Sequence, residues 1–144
     1  MLNLKFGLAG AACIVIGALG GFLSPQPDRI VFLNVGQGDC TLIQSEGVTV
    51  LFDSGPKDNF SDAGEKIVVP KLKELGVTGI DLILLTHPDM DHIGGVMGAI
   101  TGRHIQTALL TSFHDDRPGA DFAEQALAAQ GIPIERAEKG MSGS

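Results

Sequence analysis

The sequence predicts an α/β fold, on three observations. Short apolar runs alternate with helix-length segments along the chain after residue 29. The helical segments stop at glycine, as at Gly76 and Gly131. The strand-like runs are nearly continuous in apolar character, which is expected of strands buried on both faces in a layered structure.

The elements follow in order. Residues 30–35, 40–43 and 48–52 are short runs rich in Val, Leu, Ile and Phe, separated by Gly36-Gln37-Gly38-Asp39 and by Ser45-Glu46-Gly47. Punctuation of that kind predicts three antiparallel strands joined by tight turns. After a polar loop, Asp62 with Glu65 three residues later forms a capping-box pattern, so a helix starts there and runs to Leu75. Pro70 lies inside it and predicts a kink, or two short pieces meeting near Val69. A buried strand over 80–85, a helix over about 94–100, a strand over 105–110, a helix over 119–130 and a further strand over 132–135 complete the pattern.

Composition narrows the function classes. A chain of 144 residues has room for one domain, and 44% hydrophobic with 19% charged content excludes a disordered chain. A net charge of −7 argues against unaided binding of nucleic acid, which needs cations to replace the counterions of phosphate. A bound divalent metal would reverse that sign locally. Cys13 and Cys40 lie in different parts of the chain and are not expected to pair; Cys40 is expected to be a small buried hydrophobe.

Residues 6–23 carry no charge and follow Lys5. Eighteen residues at ~1.5 Å each are just enough to cross a hydrocarbon core of ~30 Å. Residues 1–24 are therefore expected to be a signal-anchor transmembrane helix, with the amino terminus inside and the domain outside the cell membrane. A cleaved signal peptide, leaving a secreted or periplasmic domain, is the alternative. Residues 25–29 form a stiff linker and 30–144 the domain.

The richest chemistry is in Thr86-His87-Pro88-Asp89-Met90-Asp91-His92-Ile93-Gly94-Gly95, directly after the 80–85 strand. Two imidazoles and two carboxylates within six residues, on a short loop at a strand end, are what a divalent metal site requires. Four candidate ligands result: His87, Asp89, Asp91 and His92. A calcium-loop reading of Asp89-x-Asp91 with Gly94 fails at Ile93 and Ile100, where oxygen ligands are needed. A plain helix N-terminus capped by Asp91 explains that residue and leaves the histidines unexplained.

This loop resembles the His-x-His-x-Asp-His signature of the metallo-β-lactamase superfamily, and three further stretches resemble its competence DNA-uptake (ComEC-like) branch. They are Asn34-Val35-Gly36-Gln37-Gly38-Asp39, Leu51-Phe52-Asp53-Ser54-Gly55, and the segment from Val69-Pro70-Lys71-Leu72 through Leu75-Gly76-Val77. The resemblance covers about residues 30–140. It implies the N-terminal half of an αββα sandwich, incomplete here, following one hydrophobic N-terminal helix. It also implies a metal-dependent hydrolase, with phosphodiesters of nucleic acid as the expected substrate. Carried over, His87 would ligate a first metal and Asp91 with His92 a second. Asp91 would also orient or deprotonate the attacking water. Asp89 stands where most members have a second histidine, so zinc is expected first and manganese or magnesium become alternatives. Asp53 and Asp39 would stand behind the ligands.

The resemblance further implies a bridging aspartate and additional histidines from the second half of the fold. His104 and His114 match none of these positions and are expected at the surface. The expected partners are therefore a membrane, a phosphodiester or nucleic-acid substrate, and that second half. Without the second half, an apolar sheet face should be bare, the chain should self-associate, and hydrolysis of model phosphodiesters should stay at background. A membrane-tethered, non-catalytic metal-binding or interaction module is the competing expectation.

Overall fold

A computed structural model describes residues 27–111, 118–138 and 140 of the chain. The expected N-terminal helix, Cys13 and His114 lie outside them. Among the described residues, no helix is long and apolar enough to cross a membrane.

The described residues form one six-stranded sheet with its strands in sequence order. Strands β1 (Arg29–Phe32), β2 (Thr41–Ser45) and β3 (Val48–Phe52) are antiparallel. The β2–β3 turn has two residues, Glu46 and Gly47, both at positive φ, the geometry that matches the twist of a hairpin. Strands β4 (Gly79–Leu85), β5 (His104–Leu110) and β6 (Ile134–Arg136) then run parallel to β3 and to one another. Strand β1 is shorter than the expected 30–35. Beyond Phe32 the chain turns inward, burying Leu33 and Val35, although Leu33 N–H still donates to Cys40 O at 2.9 Å.

A π-helical segment, Gly64–Val68, runs directly into helix α1 (Val69–Glu74), with Pro70 in the first turn of α1. The expected junction near Val69 is thus real. A wider turn ahead of the proline removes the need for its missing N–H and relieves the ring's clash with the preceding turn. Asp62 Oδ1 accepts the Glu65 N–H at 3.1 Å, as a cap should. Its other carboxylate oxygen meets Lys57 Nζ at 2.8 Å.

Helices α2 (Met90–Ile93) and α3 (Val96–Ile100) join β4 to β5, and α4 (Pro118–Ala129) joins β5 to β6. Because each parallel strand is added on the same side of the last, right-handed crossovers put every helix on one face of the sheet. The burial pattern agrees. The register aligns Leu42, Leu51, Ile83 and Ala108 in a single row, and each has 0% exposure. On the opposite face Ile30 is 62% and Phe32 81% exposed.

The expectation of burial on both faces is therefore met on one face only among the described residues. Apolar continuity reports that both faces are greasy, and the helices reach only one. Of the expected four-layer sandwich, the described residues form a helical layer and a sheet. Close backbone contact ties the helical layer together: a Cβ on Gly64 would lie 1.9 Å from Gly95 O, so only glycine allows the π segment to press on the start of α3.

Candidate metal centre

The candidate residues gather at the carboxyl ends of β3 and β4, where the chain leaves the sheet. Phe52 pairs with Leu84, so Asp53 and Thr86 emerge side by side. Asp53 adopts φ 52°, a left-handed conformation that aspartate tolerates better than bulkier residues. This turns its buried carboxylate back across the strand ends. Oδ1 accepts Thr86 N–H at 2.9 Å, while Oδ2 accepts the Thr86 hydroxyl at 2.7 Å and meets His92 Nδ1 at 2.9 Å.

Those contacts fix both imidazoles. The Thr86 hydroxyl spends its proton on Asp53, so toward His87 Nδ1, 2.9 Å away, it is an acceptor. His87 Nδ1 then carries hydrogen, and so does His92 Nδ1 facing the Asp53 carboxylate. In a neutral ring Nε2 then keeps its lone pair, the form that binds metal. Thr86 is quoted within the motif but not singled out from sequence. Its signal was positional: a hydroxyl between the strand end and the first histidine. The Thr111 hydroxyl, at the end of β5, donates to Thr86 O and holds the same turn from the other side.

The loop is less loop-like than expected. Asp89 is the N-cap of α2, with extended backbone at φ −87° and ψ 138°, so Asp91 and His92 lie inside the first turn rather than before a helix starting at 94. Asp91 is consequently not the cap. Main-chain bonds pin this turn, with Ser54 N–H donating to His92 O at 2.7 Å and Gly95 N–H to Gly55 O at 2.9 Å.

The two rings lie 3.8 Å apart between centroids, tilted by 52°. His87 Nε2 faces Asp89 Oδ2 at 3.5 Å. His92 Nε2 faces Asp39 Oδ2 at 3.6 Å and Asp91 Oδ2 at 3.9 Å. All six sequence candidates, His87, Asp89, Asp91, His92, Asp53 and Asp39, are thus brought to one place. His104 is not; it opens β5 at the far end of the sheet and is exposed, as expected.

Among the described residues, no group of three or more histidine, cysteine, aspartate or glutamate side chains is already arranged to hold a metal ion. The donor chemistry nevertheless fits a divalent cation. Nitrogen and oxygen atoms at 3.5–3.9 Å are close to the ~3–3.5 Å that two donors show across one ion bound at about 2.0–2.2 Å. No thiolate competes. Burial, then the charges of Asp53 and Asp39, push the Cys40 thiol up to about 12, so it stays protonated and packs as the expected small hydrophobe. A groove of roughly 440 Å³ leads from His92, Asp39, Asp53 and Thr86 onto the open sheet face beside Phe32 and Phe52.

Comparison with known proteins points the same way. The family model described as the Metallo-beta-lactamase superfamily matches residues 33–126. "ComE operon protein 3" of Bacillus subtilis is 25% identical over 147 residues, covering 91% of this chain and 19% of that protein. "Recombination protein 2" of Haemophilus influenzae is 36% identical over 73 residues, covering 51% of the chain and 9% of that protein. "Competence protein ComA" of Neisseria gonorrhoeae is 32% identical over 84 residues, covering 54% and 12%. The chain therefore spans about a fifth or less of the length of each of these relatives.

Proposed function

Since the chain belongs to the metallo-β-lactamase superfamily, we propose that its His/Asp turn holds divalent metal and serves hydrolysis of phosphodiester bonds, with nucleic acid as the substrate class. The observation that carries this is the Asp53–Thr86 hydrogen-bond pair. It holds both rings by Nδ1 and turns Nε2 of His87 and His92 toward carboxylates at 3.5–3.9 Å. A purely structural turn has no need of two imidazoles aimed in that way. The names of the relatives, competence and recombination proteins, turn the substrate class toward nucleic acid.

His87 with Asp89 would hold one ion, and His92 with Asp91 another. Zinc is the first candidate, and Asp89 in place of an imidazole opens the site to manganese or magnesium. A divalent ion bound there supplies Lewis acidity, lowering the pKa of a water toward ~7 and neutralising phosphate charge. Asp91, half-exposed beside His92, would orient or deprotonate an attacking water. Asp53 and Thr86 keep the rings aimed. On this proposal the apolar sheet face receives the second half of the fold, which contributes the remaining ligands. Residues 1–24 anchor the domain outside the membrane, or are removed as a signal peptide.

A second function is favoured by that same open face: a non-catalytic metal-binding or interaction module. The two are separated by the sign of the charge at the site. At a net charge of −7, the metal-free chain should repel nucleic acid. The test follows fluorescence anisotropy of a labelled single-stranded oligonucleotide with the full chain, in the presence of manganese or zinc and in chelator. Hydrolytic function predicts binding only with metal, lost in a His87→Ala/His92→Ala variant, and any cleavage lost in Asp91→Asn. Equal binding in chelator, or none with metal bound, contradicts it.

A further inference from the structure

The resemblance places Asp39 behind the ligands. From the geometry we infer that Asp39 is itself a metal donor, the third alongside His92 and Asp91. This rests on the metal-centre proposal and deepens it.

Asp39 ends the Gly36-Gln37-Gly38 turn between β1 and β2, and that turn is closed at its base, tied to the loop after β3 and pressed against the metal loop. Leu33 N–H donates to Cys40 O at its base, and Gly55 N–H donates to Asp39 O at 2.9 Å. Gly38, at φ 152°, lies so close to the metal loop that a Cβ there would fall 2.1 Å from Asp91 O and 2.9 Å from Pro56 Cδ. Only glycine lets the two loops touch. The contact carries the Asp39 carboxylate to 3.6 Å from His92 Nε2, nearer than the 3.9 Å of Asp91 from the same atom.

A turn-forming role does not account for that carboxylate. The side-chain bond that shapes the turn comes from Asn34, whose Oδ1 accepts Gly36 N–H at 3.4 Å. Asp39 directs its oxygen at the imidazole instead, with its side chain 74% exposed and therefore costing little desolvation to recruit. His92 Nδ1 is committed to Asp53, so Nε2 is the nitrogen turned toward Asp39. At 3.6 Å the two atoms stand close to the spacing that two donors take across one bound cation. Three donors from two clamped loops then come from this chain alone, and the acidic surroundings of Asp39, Asp89 and Asp91 favour divalent over monovalent charge.

Calorimetric titration of the full chain with manganese and with zinc tests this, comparing wild type, Asp39→Asn, Asp39→Ser, Asp39→Glu and His92→Ala. Both removals of the carboxylate should weaken binding about 10-fold or more, the scale lost when groups around a metal are mutated. Asp39→Glu should recover part of it, and the melting of the metal-free removal variants should match wild type. Affinities of Asp39→Asn and Asp39→Ser equal to wild type, with His92→Ala weakened, would overturn the role of Asp39 and leave the metal centre standing. No binding by wild type, or binding indifferent to His92→Ala, overturns both.

Discussion

One face of the sheet carries Leu42, Leu51, Ile83 and Ala108 in a row at 0% exposure; the other carries Ile30, Ile43, Val50 and Leu82 in the adjacent row, none of them buried. The two rows are equally apolar. What separates them is connectivity. Successive right-handed crossovers place every helix above one row and none above the other. Stability is therefore drawn from the helix side, where a covered aliphatic side chain contributes roughly 1.5–3 kcal/mol. The open side is free to take a partner layer, and the candidate centre sits on the rim between them, reached by a groove from the open side.

The largest effect should come from the covered row. Leu51→Ala leaves a cavity in packed surroundings and should cost about 2–5 kcal/mol in a denaturant titration. An effect below ~1 kcal/mol would mean that the helix layer does not pack as described. At the rim, Thr86→Val removes the hydroxyl that links Asp53 to His87. A hydrogen bond to a charged group contributes about 1.5–3 kcal/mol, and Thr86→Ser should restore most of it. Nitrogen NMR of the imidazoles should show His87 losing its fixed tautomer in the valine variant while His92 keeps its own. On the open face, Phe32→Ser should move stability by no more than about 0.5 kcal/mol. The same change should reduce self-association and hydrophobic dye binding, measured by sedimentation and fluorescence, because Phe32 is 81% exposed in a patch of its own kind. If Phe32→Ser unfolds the protein instead, the face is covered in solution and the contrast between faces disappears.

Much of this arrangement was legible in the sequence where a local rule decides it. Ser45-Glu46-Gly47 specified a tight turn, Asp62 with Glu65 a helix start, and Pro70 a kink or break near Val69, and each is present. The spacing of His87, Asp89, Asp91 and His92 predicted that these side chains would gather at a strand end, and the structure brings the four together. Less was legible where a distant element decides. The apolar strands did not say which face the helices would reach. Leu33 and Val35 read as strand because they are apolar, yet they are buried in a loop. The helix was expected at 94 because the His/Asp segment read as a metal-binding loop, whereas the extended Asp89 starts a helical turn at Met90 that takes in Asp91 and His92. The part played by Thr86 depends on a carboxylate 33 positions earlier in the chain, a relation no local pattern contains.

The central claim is that this turn exists to hold a divalent cation, and calorimetric titration of the full chain with zinc or manganese tests it most directly. Wild type should bind, weakly if further ligands come from elsewhere, and His87→Ala and His92→Ala should each reduce the affinity about 10-fold or more. In the His87→Ala/His92→Ala double variant, whose carboxylates remain, binding should fall to the nonspecific level of an acidic surface. A double variant that binds as tightly as wild type would contradict the account.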